Sequence, residues 1–285
     1  MTRIPLTDLG TEEYLGFPGG LYPEGKNSRP AAHENAGVTL GKSVRPLDRE
    51  GRPSADGKIV MLSIGMSNAS REFSQLIRLA GADLRRNPAL MMIDAARDGA
   101  AATEIASPFG DYWPGVDQQL ERGEVTAEQV QIVWLKTALA SESRVFPENA
   151  KLLQRTLRSI VGMVTRKFRQ LKLIYVSSRS YGGYSTTALS PEPIAYESAF
   201  AVKWLIEERL TNPASDRSTP WVSWGPYLWA DGLRPRSDGL IWERSDFEAD
   251  GVHNSAQGAL KVALMLLEFF QKDATAKPWY DSVTQ

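Results

Sequence analysis

The chain has 285 residues, 33 Lys and Arg against 34 Asp and Glu for a net charge of −1, 42% apolar residues and 24% charged ones. That is the composition of a globular protein with a full core. Without concentrated positive charge it excludes a nucleic-acid or anionic-membrane binder, whose affinity depends on clustered cations. Cysteine is absent and histidine occurs only at His33 and His253. Thiolate nucleophiles, cysteine zinc sites, iron–sulfur clusters and a three-histidine zinc site are therefore excluded. The first residues, MTRIPLTDLGTEEYLG, carry acids where a signal peptide has an apolar core. No stretch has the roughly 20 apolar residues of a membrane span, and the richest, Ala259–Leu267, is interrupted by Lys261. The expected location is either cytoplasmic or that of a secreted protein already trimmed, with no membrane span.

Residues 1–56 are rich in Gly, Pro and Asn (FPGGLYPEGKNSRP) and show neither helical nor strand periodicity, so they are read as an irregular arm packed on a single domain. From Lys58 the pattern changes. Lys58–Ile64 (KIVMLSI) is a short β-branched run bounded by Gly57 and Gly65, as in a buried parallel strand. Ser70–Leu84 has helical spacing through Phe73, Leu76, Ile77 and Ala80. Leu90–Asp94 and Val130–Leu135 read as strands, Pro147–Leu171 as a long amphipathic helix, and Leu173–Val176 as a fourth strand. Pro193–Leu210 reads as a helix, Trp221–Trp224 as a fifth strand and Ser255–Gln271 as the closing helix. Strands alternating with helices of this length imply right-handed crossovers and a parallel sheet covered on both faces.

In such sheets chemistry collects at the carboxyl ends of the strands. The first of those ends carries Gly65-Met66-Ser67-Asn68. A serine there has its hydroxyl above the sheet edge and the free N–H groups of a helix start beside it; equally, Ser67 or Ser70 could only cap the helix. Ala69 breaks the G-x-S-x-G elbow. Before the last helix stands Asp250-Gly251-Val252-His253. Across a turn this spacing lets the carboxylate hold one ring nitrogen while the other faces a nucleophile. His33, in PAAHEN, has no such acid arranged beside it, so His253 is the base if the protein is a serine hydrolase.

These blocks resemble the SGNH (GDSL-type) serine hydrolases over about Lys58 to Gln271, DGVHNS most specifically and GMSN next. The GGLYP arm is similar to that of a subgroup of the family. The resemblance implies a flavodoxin-like three-layer α/β/α sandwich with a central parallel sheet and no metal or organic cofactor. It implies Ser67 as nucleophile with Asp250 and His253 as its partners, and the N–H groups of Ser67 and Gly99 as oxyanion donors. Two departures stand out. Met66 replaces the aspartate of the GDS signature, and Trp134-Leu135-Lys136-Thr137-Ala138 stands where the family has G-x-N-D. Lys136 or Thr137 is expected to supply the missing third donor, unless Lys136 is merely a solvated strand-end lysine.

Asn68, Arg179 and Tyr181 are the candidate substrate contacts. Arg179, in the SSRSYGGYS loop, is expected either to bind an anionic substrate group or to pair with Glu192 or Glu197. Trp204, Trp221, Trp224, Trp229 and Trp242 are either a carbohydrate platform or core. The expected activity is hydrolysis of small esters or acetyl groups, carbohydrate deacetylation among them, through an acyl-enzyme. The alternatives are acyl transfer on the same scaffold or carbohydrate binding by a decayed hydrolase. The partner is a small-molecule ester or an acetylated carbohydrate.

Overall fold

The computed structural model describes residues 3–140, 145–211 and 219–282. Five strands, β1 (Ile59–Gly65), β2 (Leu90–Asp94), β3 (Val130–Lys136), β4 (Leu173–Val176) and β5 (Trp221–Trp224), form one sheet in the order β2-β1-β3-β4-β5. Every pairing is parallel. All seven residues of β1 and of β3 are buried, which explains their continuous apolar runs: both faces of the sheet are covered.

Alternation along the strands sorts the core into two layers. Val60, Leu62, Val133, Leu135, Ile174 and Val176 face one layer, against α3 (Tyr112–Arg122), α4 (Glu148–Lys167) and α5 (Ile194–Thr211). Ile59, Met61, Ile132, Trp134, Leu173 and Tyr175 face the other, against α2 (Ser67–Ala82) and α6 (Ala256–Lys272). The architecture is thus a three-layer α/β/α sandwich, and its strand order places the switch point between β1 and β3.

Three differences from the sequence reading have physical causes. The arm is not wholly irregular, for it contains α1 (Ala31–Ser43). That helix lacks an apolar stripe because it packs through small residues. A Cβ on Gly37 would stand 2.5 Å from the Trp221 ring, and one on Gly41 would stand 2.2 Å from the Thr275 carbonyl oxygen. Helix α3 has no counterpart in the sequence pattern because Pro114 and Gly115 stand near its start, where proline is tolerated since its N–H would have no partner anyway. Helix α2 begins at Ser67 rather than Ser70, which brings the candidate nucleophile into its first turn. The arm itself is held by specific bonds: Tyr22 Oη and Ser223 Oγ lie 2.8 Å apart, and Tyr227 Oη accepts from the Leu6 N–H at 3.1 Å.

Candidate active site

The site is built at the carboxyl ends of β1, β2 and β3 and the loop before α6. Gly65 ends β1 against Lys136 of β3, and a Cβ there would stand 2.1 Å from the Lys136 carbonyl oxygen. Only glycine allows the two strands this approach just before the turn. Met66 caps α2 in an extended conformation and Ser67 is its first residue, so the Ser67 N–H is among the unpaired donors of a helix start. The Ser67 hydroxyl forms no hydrogen bond within the described residues, His253 included.

The loop after β2 is drawn toward this turn. The Arg97 N–H donates to the Gly65 carbonyl at 3.0 Å, and the Tyr112 hydroxyl accepts from the Gly65 N–H at 3.1 Å while donating to the Ala95 carbonyl at 3.0 Å. Two residues past Arg97, Gly99 adopts φ +77°, a left-handed conformation suited to glycine. Its N–H donates to none of the described residues. Asp94, at the end of β2, accepts from Ser63 Oγ at 2.5 Å and from Ser70 Oγ at 2.6 Å, tying α2 to the sheet. Burial pushes its carboxyl above the usual carboxylate range, and the serine bonds act against that rise.

Asp250 and His253 meet as their spacing suggested. Asp250 Oδ2 lies 2.5 Å from His253 Nδ1, and Oδ1 accepts from the N–H groups of Val252 and His253 at 2.9 and 3.0 Å. Partial burial pushes the Asp250 carboxyl up, but the hydrogen bonds from the imidazole and the two N–H groups outweigh it and hold the pKa at about 2. The loop is placed against the nucleophile's helix by Asn68. Its Nδ2 donates to the Val252 carbonyl and its Oδ1 accepts from the Asn254 N–H, each at 2.8 Å. Those groups flank His253 on both sides, so the residue after Ser67 grips the loop at the histidine.

Four expectations change here. Asn68 is not placed to touch substrate: it is buried and both ends of its amide are engaged with that loop. Lys136 is not a solvated lysine, nor a free ammonium awaiting an oxyanion. Its Nζ donates to Glu72, one helical turn and a half beyond Ser67, and both side chains are buried. Thr137 retains a buried hydroxyl with no partner. Arg179 is not bonded to Glu192 or Glu197. Glu192 accepts from Gly182 N–H, Tyr196 N–H and Trp229 Nε1, and Glu197 from the Tyr14 hydroxyl. Trp221, Trp224, Trp229 and Trp242 are buried and Trp204 packs against the core, so these rings form no carbohydrate platform. Tyr181 is partly exposed, edge-on to Tyr184 with ring centres 5.1 Å apart. Glu72 and Tyr112 are the site-building residues that sequence reasoning missed. An acid beside Phe73 on the inward face of α2 was the available signal for the first.

His33 stands apart from all of this, stacked on Trp221 with ring centres 4.7 Å apart. Burial, aided by the Arg29 charge, lowers its pKa to about 4.

No family model and no curated protein sequence matches the chain. Among solved structures, it is similar to a carbohydrate esterase family 3 protein from Talaromyces cellulolyticus, with TM-score 0.43, 13% identity, and 74% of this chain and 95% of that one covered. A GDSL-like lipase from Bacteroides thetaiotaomicron gives TM-score 0.40 at 8% identity, covering 83% of this chain and 95% of its own. The periplasmic domain of a lipopolysaccharide acetyltransferase from Salmonella Paratyphi A gives 0.39 at 11%, covering 85% and 96%. Likeness at this level carries no argument about chemistry, which rests on this chain's own residues.

Proposed function

We propose that the protein is a serine hydrolase of the SGNH type that cleaves small esters, with Ser67 as nucleophile, His253 as base and Asp250 as the group that orients it. One observation carries the reading: Asn68, the neighbour of Ser67, holds the backbone on both sides of a histidine whose Nδ1 is already 2.5 Å from a carboxylate. That leaves Nε2 as the proton acceptor and fixes the tautomer, the division of labour of an acyl-transfer triad.

In the reaction, Ser67 Oγ attacks the acyl carbon as its proton passes to His253 Nε2. Asp250 remains ionised and stabilises the imidazolium, consistent with its depressed pKa. The N–H groups of Ser67 and Gly99 donate to the oxyanion, and the Thr137 hydroxyl is the remaining candidate for a third donor. Collapse expels the alcohol, which takes the proton from His253. Water then attacks the acyl-enzyme with the same base, and Ser67 is regenerated. Turnover of p-nitrophenyl acetate by the wild-type protein, lost in Ser67→Ala, is the expected result. Equal turnover in both proteins would refute the proposal.

A further inference from the structure

Arg179 follows β4 and is only 6% exposed. Its backbone is pinned where the N–H donates to Ser198 Oγ at 3.1 Å, and that hydroxyl donates in turn to the Ala195 carbonyl at 2.6 Å. Its guanidinium nonetheless forms no hydrogen bond within the described residues, and Nε is fully buried without a partner. A guanidinium carries five donors and cannot shed its charge in a protein. Leaving those donors unpaired in the interior is costly.

Among the described residues, the surrounding charges are Glu72 and Lys136 on α2 and β3, Glu192 before α5, and Asp250. The acids among them have other partners: Glu72 holds Lys136, Glu192 takes three N–H donors, and Asp250 holds His253. One oxygen, Glu72 Oε2, lacks a donor, but the guanidinium does not bond it. Among the described residues, Arg179 is therefore the member of this group whose charged donors have no bonded acceptor.

We infer that Arg179 is a subsite for a carboxylate borne by the alcohol portion of the ester, an inference that rests on the hydrolase reading above. The planar fork of a guanidinium matches a carboxylate with two parallel bonds. Three acids around it disfavour a dianion such as a phosphate monoester by like-charge repulsion. The side of the site follows from the topology. Gly99, the oxyanion donor, stands beyond β2, whereas Arg179 stands across β3 at the end of β4. Its own loop is packed on that of the histidine. Thr186 N–H donates to the Asp250 carbonyl at 2.9 Å, and a Cβ on Gly251 would stand 1.8 Å from the Tyr184 carbonyl oxygen. His253 protonates the departing oxygen, so the leaving alcohol lies on the Arg179 side.

The test compares 3-carboxyphenyl acetate with its methyl ester, which has the same acyl group and no charge. Wild-type kcat/KM should favour the carboxylate by at least about tenfold, the worth of one charged hydrogen-bonded contact. Arg179→Gln should erase that ratio, and Arg179→Lys should keep part of it. A ratio near one in the wild type, or an unchanged ratio in Arg179→Gln, overturns the inference. So does a greater preference for monophenyl succinate, with its charge on the acyl side, or for an aryl acetate bearing a phosphate. If the wild type hydrolyses none of these esters, the hydrolase reading fails by itself. The subsite is then judged by binding of 3-hydroxybenzoate: a raised melting temperature in the wild type that Arg179→Gln lacks supports it, and no shift in the wild type refutes it.

Discussion

Lys136 and Glu72 form a buried ion pair that joins the end of β3 to the helix carrying Ser67. Burial lowers the Lys136 pKa and raises that of Glu72, and their mutual attraction opposes both shifts. Removing one partner strands a charge in the interior, a loss of about 3–5 kcal/mol. Lys136→Met should therefore reduce unfolding free energy by that order in denaturant titrations, and Glu72→Leu combined with it should recover most of the loss. An isolated Lys136→Met that is as stable as wild type would contradict the pairing. On a recovered background, Thr137→Val should lower kcat by roughly 10²-fold with little change in KM if its hydroxyl is the third oxyanion donor.

Triad members act as a unit, so Ser67→Ala and His253→Ala should each lose on the order of 10³-fold or more in kcat. Asp250→Asn should lose somewhat less. A fluorophosphonate probe should label Ser67 alone, and an adduct on Ser177, Ser178 or Ser180 that survives Ser67→Ala would reassign the nucleophile. Activity retained in His253→Ala but lost in His33→Ala would reassign the base.

Asn68→Ala leaves the Val252 carbonyl and the Asn254 N–H without their partner. The histidine loop should then drift from Ser67, and displacement of about 1 Å can cost on the order of 10²-fold in rate. The expected outcome is a fall of that size in kcat and in the rate of probe labelling, with KM little changed. A change confined to KM would return Asn68 to the substrate contacts.

His33 gives the fold a pH dependence distinct from that of catalysis. Its folded pKa of about 4 lies below the ordinary histidine value of 6.5, so the unfolded chain binds the extra proton first. Stability is then full above the unfolded value and is lost as pH falls from there through about 4. His33→Phe, which keeps a ring on Trp221, should flatten the denaturation midpoint across that window. An identical slope in both proteins would locate the titration elsewhere.

What the sequence determined by itself was what local pattern encodes. The apolar runs at Val130–Leu135 and Leu173–Val176 mark buried strands because a two-faced sheet leaves no solvent side. The Asp250–His253 bond was legible because a turn of three residues decides it locally. Tertiary structure alone decided the rest. Helix α1 is buried through Gly37 and Gly41, a packing that periodicity of large apolar residues does not reveal. The fate of Lys136 depended on Glu72, 64 residues away in sequence. The positions of Asn68 and Arg179 depended on loops from other strands. Charge and hydrogen-bond partners are properties of neighbours in space, and a strand-end lysine or a loop arginine carries no local sign of which neighbours it will have.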